Sequence, residues 1–382
     1  MKRFIGLLFI FLMVIGLIFN SCNHQTRKER ALAEYNALIK TAKKLLDLHP
    51  DSSVLYADSA LIIASFAHLK DSAFINIYEI KSKAFIHRDE LDSAIKFISR
   101  IDSMANITSD SVLVVKSMLL KAEVEYAKEN FLVAEKYVKT VVTSSEKFTD
   151  KDDLANACNL LGRVLYEKGL YKDAQIYLLR AYNLFQNANN LFGMANTSIS
   201  IANNYSEIGS KSNELKYCHL AYRIAQKVNS NSIEIASLIN LGVFYRTSNV
   251  DSAKYYYGKA LELIPIYPIT LSRIQTEYNL ANIYMDNKEV DKAMKIYQRI
   301  YHQSAKLNIK TGVAIISSGL AGAYESLGQY DVAEKYLLGA IDYFKSEGMT
   351  KFEIAFKSQL KDLYRSTGRY KQALNIADEL KV

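Results

Sequence analysis

Apolar and small residues recur along this chain in one fixed order. A small residue is followed three residues later by an aromatic residue or leucine, then by a polar turn, then by an alanine with apolar positions four and seven residues beyond it. Two clear copies of this order are Leu161, Gly162, Leu165, Gly169, Tyr171, Ala174, Leu178 and Ala181, and Leu320, Ala321, Tyr324, Gly328, Tyr330, Ala333, Leu337 and Ala340. Apolar positions three, four and seven residues apart predict amphipathic helices, so each copy indicates two helices joined by a turn.

The copies keep a constant distance from one another. The position of the small residue is held in turn by Ser82, Ala122, Gly162, Ala202, Gly242, Ala281, Ala321 and Lys361. Successive positions are 40 residues apart, with one interval of 39. Such a period is typical of proteins that stack one helical unit on the next. The small residue is expected where two helices cross, because a large side chain there would push their axes apart.

The composition favours helices along the whole chain. The 382 residues include 3 prolines and 15 glycines, so few residues interrupt a helix. Glycine is expected to end the first helix of a pair at Gly169 and Gly328, because it adopts the left-handed C-cap conformation freely. We therefore predict an all-α fold.

Part of the pattern resembles the signature of the tetratricopeptide repeat (TPR). The residues that carry the resemblance are Leu161-Gly162, Tyr324, Gly328-Gln329-Tyr330 and Ala333. The standard repeat has about 34 residues, and the longer period here is similar to that of kinesin light chains and the bacterial Rap regulators. The resemblance implies a right-handed α-solenoid of antiparallel helical hairpins. Its concave surface, lined by the first helix of each hairpin, would bind a peptide or another helix.

The resemblance also divides the chain into parts. Residues 71–382 are expected to form an array of about eight TPR-like hairpins. The match is poor over residues 31–70, which we expect to form a degenerate hairpin that caps the N-terminal end of the array. Residues 22–30 are polar and basic and predict a flexible tether.

Residues 1–21 have the pattern of a signal peptide. Two basic residues precede an apolar stretch of 16 residues from Phe4 to Phe19, which is short for a membrane-spanning helix. The next residues, Asn20-Ser21-Cys22, complete a segment that resembles a bacterial lipobox. This resemblance implies lipid attachment to Cys22 and a protein anchored to the bacterial envelope, with the periplasmic side of the outer membrane as the expected place. The alternative is an uncleaved signal anchor.

Several classes of function receive no support from the sequence. Basic and acidic residues alternate along the chain, so its formal net charge of +8 forms no stripe that would favour nucleic acid as a partner. The six histidines have no metal-ligand spacing, and no phosphate-binding loop or nucleophile motif occurs. Cys158 and Cys218 are expected to be unpaired and buried. We therefore expect no catalytic activity, no cofactor and no bound metal.

The candidate ligand-binding residues lie on the first helices, close to the small residue. They are Asn156, Asn159, Arg163, Asn196, Asn203, Asn240, Arg246, Asn279 and Asn282. An asparagine amide both donates and accepts hydrogen bonds, so a series of them is able to hold an extended peptide backbone. The alternative is structural, since an asparagine near a helix crossing also bonds to the neighbouring hairpin.

Five tyrosines recur at the position three residues after the small residue. They are Tyr205, Tyr245, Tyr284, Tyr324 and Tyr364. Their spacing is that of the packing position within a hairpin, which favours a place in the core over a role in stacking on a ligand.

The last helix of the array ends with an apolar face. Leu374, Ala377 and Leu380 are expected on this face with no following helix to cover them. Because solenoid ends normally present polar residues, we expect a docking partner, self-association, or a continuation of the natural protein.

These observations together favour a scaffold that binds a protein or peptide partner and catalyses no reaction. The alternative is the sensory or regulatory part of an envelope signal-transduction system, truncated before its output region.

Overall fold

The computed structural model describes residues 24–46, 49–144, 151–265 and 270–380, and every regular element in these ranges is an α-helix. The helices are α1 (His24–Leu45), α2 (Pro50–Phe66), α3 (Asp71–His87), α4 (Leu91–Thr108), α5 (Ser111–Ala127), α6 (Phe131–Ser144), α7 (Lys151–Glu167), α8 (Tyr171–Asn187), α9 (Leu191–Ile208), α10 (Lys211–Val228), α11 (Asn231–Tyr245), α12 (Val250–Leu263), α13 (Leu271–Asp286), α14 (Val290–Lys306), α15 (Lys310–Ser326), α16 (Tyr330–Ser346), α17 (Thr350–Ser366) and α18 (Tyr370–Glu379). The all-α prediction is confirmed.

The chain divides into two compact units, the first ending at Ser200 and the second beginning at Ile201, within α9. In the first unit α1 pairs with α2, α3 with α4, α5 with α6 and α7 with α8. In the second unit α11 pairs with α12, α13 with α14, α15 with α16 and α17 with α18. Within each unit neighbouring hairpins pack against each other, and the first helices also contact each other in succession from α1 to α7 and from α13 to α17.

The forty-residue period is explained by the length of the helices. Helices such as α7, α8, α15 and α16 each contain 17 residues. The turns between them contain three residues, as in residues 168–170 and 327–329. The residues in excess of a standard TPR therefore lengthen the helices, and the links remain short.

The small residues of the repeat lie where the two helices of a hairpin cross. A Cβ atom built on Gly162 would lie 2.6 Å from Cγ of Leu178, and one built on Gly242 would lie 2.4 Å from Cε1 of Tyr257. The equivalent residues Ser82, Ala122, Ala202, Ala281 and Ala321 are at most 1% exposed. Lys361, in the last hairpin, is half-buried and is the exception. The prediction about helix crossings is confirmed at these glycines.

Left-handed residues end the helices. Gly169 and Gly328, at the ends of α7 and α15, have φ of +74° and +73°. The amide of the next residue, Leu170, donates to the carbonyl of Leu165 at 2.9 Å, which satisfies a carbonyl that the helix end would otherwise leave free. The same position is held by a non-glycine residue with positive φ in other repeats, as at Glu129 and Lys288.

The two cysteines within the described ranges are free and buried. Cys158 is 0% exposed and Cys218 is 2% exposed. Burial raises the pKa of the Cys158 thiol to about 11 and that of Cys218 to about 12. Both side chains therefore pack as small apolar groups, as the sequence predicted.

Of the N-terminal predictions, the flexible tether over residues 22–30 is replaced by helix from His24 onward, and α1 and α2 form a hairpin where the capping hairpin was expected. The predicted signal peptide, residues 1–21, and Cys22 lie outside the described ranges. None of the helices within those ranges combines the length and the apolar character that crossing a membrane requires.

Two glycines of one hairpin provide a test of the close helix crossing. Gly242→Ala should lower the free energy of unfolding by about 1–3 kcal/mol, because the added methyl group would force the buried Tyr257 ring out of place. Gly258→Ala is the matched control, since a Cβ there meets no atom within 4 Å. It should raise the stability by about 0.5–1 kcal/mol, because alanine is the better helix former. Urea unfolding followed by circular dichroism measures both, and equal effects of the two changes would contradict the crossing.

Candidate ligand-binding surface

The residue directly after each buried small residue is accessible to solvent. The eight positions are Lys83, Glu123, Arg163, Asn203, Val243, Asn282, Gly322 and Asp362, and none of them is buried. A helix turns by about 100° per residue, so the side chain after the crossing point leaves the hairpin interior on the side of the first helices. Six of the eight residues are polar or charged. The repeat therefore presents a polar side chain in a regular register in six of these eight hairpins.

In the first unit this surface carries a cluster of opposite charges on α3, α5 and α7. Lys83 Nζ lies 2.8 Å from Oε1 of Glu79, which precedes it by one helical turn on α3. Lys116 on α5 lies between two carboxylates, 3.5 Å from Glu79 and 3.3 Å from Asp153 on α7. We call Glu79, Lys83, Lys116, Glu123 and Asp153 the charged cluster.

The two glutamates of the charged cluster have pKa values that move in opposite directions. Burial opposes ionisation of Glu79, but Lys83 and Lys116 outweigh it and lower its pKa to about 2. Burial raises the pKa of Glu123, and Lys83 and Arg163 reverse this only in part. Glu79 is thus a firmly held anion, whereas the anionic form of Glu123 is under-compensated.

The candidate ligand-binding residues predicted in the first unit differ in how exposed their side chains are. Asn156 is half-buried and Asn196 is exposed. The guanidinium of Arg163 lies over the ring of Tyr126, 4.4 Å from its centroid. Asn159 is 7% exposed and its Oδ1 has no hydrogen-bond partner. It lies in the interior because α7 is covered on both sides, and residues 157–162 are all buried.

In the second unit two of the predicted asparagines are brought together. Nδ2 of Asn240 on α11 donates to Oδ1 of Asn203 on α9 at 2.7 Å. Arg246, one turn beyond the small residue of α11, lies 3.3 Å from Asp286 at the end of α13. Neighbouring first helices are therefore linked by polar side chains on this surface, and the exposed side chain of Asn203 stays accessible.

The other two predicted asparagines lie on α13. Asn282 Oδ1 accepts a hydrogen bond from the hydroxyl of Tyr297 on α14. Tyr297 is 0% exposed, so this bond satisfies a polar group inside the hairpin. Asn279 is half-buried. The structural alternative weighed for these asparagines therefore applies to Asn282.

The recurring tyrosines pack within their hairpins. Tyr205 stacks on Tyr217, Tyr245 on Tyr256 and Tyr324 on Tyr336, with ring centroids 5.6–5.8 Å apart. The hydroxyl of Tyr364 donates to Glu334 at 2.6 Å. Lys254 and Lys292 approach the ring of Tyr284. Tyr205, Tyr245 and Tyr324 therefore lie in the packing layer between the two helices of a hairpin, whereas Tyr284 and Tyr364 also contact the preceding hairpin through Lys254 and Glu334.

The charged cluster is the part of the surface that sequence reasoning missed. Lys83 and Glu123 stand in the same register as Arg163 and Asn203, directly after a small residue, so the forty-residue period already contained the signal.

Two further predictions concern the rest of the chain. At the C-terminal end Leu374 is 60% exposed, and Ala377 and Leu380 are half-buried. In the part of the chain that the structure describes, no group of three or more histidine, cysteine or acidic side chains is arranged to hold a metal ion.

Comparison with known proteins identifies repeats in two segments of the chain and supports the fold. The family model of the tetratricopeptide repeat matches residues 155–187 and 277–309. No curated protein matches the chain. A solved structure of a Rap protein complexed with competence and sporulation factor is similar over 93% of this chain and 97% of that chain, with a TM-score of 0.67 and 15% identity.

Two other solved structures are similar to a comparable extent. The apo form of the quorum sensor NprR from B. thuringiensis has a TM-score of 0.65 and 14% identity, over 90% of this chain and 97% of that chain. NprR in complex with its cognate peptide NprX has a TM-score of 0.58 and 13% identity, over 91% of this chain and 99% of that chain. The chain therefore carries tetratricopeptide repeats, and its predicted fold class, an all-α solenoid of TPR-like hairpins, is confirmed.

Proposed function

We propose that this protein is a scaffold without catalytic activity that binds a peptide, or an extended segment of a partner protein, along the first helices of its repeats. The observation that carries the proposal is the register of accessible polar side chains directly after the buried small residues. Within the first unit, a ligand lying across successive first helices meets such a side chain at Lys83, Glu123 and Arg163, and within the second unit it meets one at every other hairpin. Recognition is then repeated along the ligand.

The second unit offers amide groups for the backbone of a ligand. Each amide side chain has two donor hydrogens and an oxygen with two lone pairs. The bond from Asn240 to Asn203 uses one donor of the first and one lone pair of the second. The remaining donors and acceptors match those of an extended peptide, whose amide groups present the same two functions.

The first unit offers charge for the side chains of a ligand. Glu123 is an acid whose burial is only partly compensated by Lys83 and Arg163. A cationic ligand group beside it, such as a lysine or an N-terminal ammonium, would stabilise its ionised form. The firmly paired Glu79 and Lys116 keep the surrounding charges in place.

The comparisons support this proposal through the fold they share with the chain. Among the similar structures are a Rap protein with competence and sporulation factor and NprR with its peptide NprX. Their identities of 13–15% carry no transfer of individual residues. The apo structure described as a quorum sensor favours the second candidate, a sensory or regulatory protein whose repeats respond to the bound peptide.

We also propose that the protein is anchored to the bacterial envelope through Cys22. The support is the sequence of residues 1–21, a basic start followed by an apolar stretch that ends beside Asn20-Ser21-Cys22. A lipid on Cys22, followed by the polar residues 23–30, would hold the repeats close to the membrane.

Crosslinking from single positions tests the ligand-binding surface. A photoreactive benzoylphenylalanine replaces Asn203 or Arg163 on the first helices, and the control replaces Asn183, which is exposed on the second helix α8. We expect light-dependent adducts from the two first-helix positions and none from Asn183, as read by gel shift and mass spectrometry. Adducts from Asn183 alone, with equal expression of all three proteins, would refute the surface.

The two glutamates of the charged cluster should respond oppositely to removal of their charge. The pKa of Glu79 is lowered, so it stabilises the fold above its ordinary pKa of 4.5 and loses this effect as the pH falls towards 2. Glu79→Gln should therefore lower stability by about 2 kcal/mol at pH 7. The pKa of Glu123 is raised, so its ionisation lowers stability as the pH rises above 4.5.

Glu123→Gln should accordingly raise the stability at neutral pH and have no effect in strong acid. Thermal unfolding of the wild type and both variants, from pH 3 to pH 8, measures these differences. Both residues are glutamates of the same cluster, so each variant serves as the control for the other. A loss of stability in both variants at neutral pH would contradict the assignment of Glu123 as the under-compensated acid.

Lipid attachment is tested by replacing the modified cysteine. Metabolic labelling with an alkyne fatty acid should label the wild type and not Cys22→Ser, and the variant should leave the membrane fraction. Cys158→Ser serves as the control, because that thiol is 0% exposed. Equal labelling of the wild type and Cys22→Ser would exclude this anchor.

A further inference from the structure

A cleft in the second unit lies away from the polar surface of the first helices. It opens between the second helices α14 and α16, above the start of α15, and has a volume of about 280 Å³. Tyr301, Tyr336 and Tyr343 form its walls, and Ala314 and Ala340 lie at its base. We call it the tyrosine cleft.

The walls of the tyrosine cleft are held by contacts within the protein. The hydroxyl of Tyr343 is 2.8 Å from Oγ1 of Thr311 on α15. The ring of Tyr336 stacks on Tyr324, and Tyr301 meets Tyr336 edge to face with centroids 5.6 Å apart. The cleft is therefore present before any ligand binds, and little ordering is needed on binding.

The base of the cleft is apolar. Ala314 and Ala340 are buried, and the buried Ser317 uses its hydroxyl to donate to the carbonyl of Val313 at 2.9 Å. Ser317 thus presents no free donor to a ligand. Between the tyrosine rings the cleft offers contact to an apolar group rather than to a polar one.

Gly339 lies beside the open space of the tyrosine cleft. It lies in the interior of α16 and lines the cleft, and a Cβ built on it meets no atom within 4 Å. Packing inside the protein therefore does not require glycine here, in contrast to Gly242 and Gly319. Glycine in a helix interior destabilises the helix relative to alanine. Its missing side chain leaves this wall of the cleft open.

The rim of the cleft is positively charged. Lys310 and Lys335 line it, and both are exposed. Neither ammonium group forms an ion pair with a carboxylate of the described residues. Glu334, the carboxylate next to Lys335 in the chain, already pairs with Arg369 at 2.6 Å. The two positive charges are available to a ligand.

We propose that the tyrosine cleft binds an acidic segment of a partner protein, which inserts one aromatic or long apolar side chain between the tyrosines and places carboxylates beside Lys310 and Lys335. The volume of about 280 Å³ admits one large side chain and lies just below the range of about 300–1,000 Å³ for sites that enclose a whole small ligand. Because the two lysines are positively charged and unpaired, charge complementarity favours a negatively charged ligand. The site does not depend on the proposed first-helix surface and would act beside it.

Binding of defined peptides tests the tyrosine cleft. The probe is a fluorescein-labelled, terminally blocked peptide with one phenylalanine flanked by two glutamates on each side, titrated with the full-length protein in detergent. Fluorescence anisotropy should show saturable binding that weakens as salt rises. A peptide with alanine in place of phenylalanine should bind at least tenfold more weakly, and one with lysines in place of the glutamates should not bind.

Filling the cleft should abolish this binding without harming the fold. Gly339→Leu places a side chain in the open space and removes a helix-interior glycine, so the melting temperature should stay equal or rise while affinity falls at least tenfold. Gly258→Leu, on α12, is the matched control, because a Cβ there is also free of contacts. It should bind the acidic peptide like the wild type.

Two further variants separate this cleft from the first-helix surface. The double change Lys310→Gln and Lys335→Gln should weaken binding at least tenfold and remove most of its salt dependence. The double change Asn203→Ala and Asn240→Ala should leave it unchanged. Equal affinity of wild type and Gly339→Leu, equal binding of the lysine peptide, or loss of binding only in the asparagine variant would overturn the proposal.

Discussion

The close approach of two helices at a small residue is the contact on which each hairpin depends. At Gly162 the partner helix comes so near that Leu178 occupies the space of a missing side chain, and at Gly242 the ring of Tyr257 does the same. Alanines on the second helix, such as Ala174 and Ala253, are fully buried opposite these sites. Because this contact recurs at seven positions from Ser82 to Ala321, it gives these first helices the same rotation about their axes.

That rotation decides which side chains are accessible. Once the small residue faces the partner helix, the residue after it must point to the outside of the hairpin, whatever its chemistry. The first unit uses this position for Lys83, Glu123 and Arg163, whereas the second unit places Asn203 and Asn282 there. Packing and recognition thus use adjacent residues, and the chemistry of the surface varies without a change in the fold.

The sequence was sufficient for features that depend on local geometry. The period predicted the hairpins, and the glycine positions predicted helix ends such as Gly169 and Gly328. The spacing also predicted the packing role of Tyr205 and its equivalents. Each of these follows from residues a few positions apart along one chain segment, which is why periodicity alone identified them.

The sequence was not sufficient for features that depend on contacts between hairpins. Lys116 lies between Glu79 and Asp153, which are 37 residues before and after it in the chain. The local sequence pattern does not predict this arrangement. Likewise, the sequence did not show that Asn282, between the two helices of one hairpin, accepts a hydrogen bond from the buried Tyr297 hydroxyl. Polar side chains of equal appearance in the sequence therefore divide into structural and accessible groups only when their partners are known.

The glycines also show that residues of one type have different roles, which only the structure distinguishes. Gly162 and Gly242 are required by close approach, and Gly169 is required by its positive φ. Gly339 has neither reason, because it sits in a regular helix with open space beside it. Gly258 also has open space beside it, so this property alone does not mark a binding site. Gly339 differs in lining a cleft with tyrosine walls and two unpaired lysines at the rim, which favours an apolar side chain inside the cleft and acidic residues beside it.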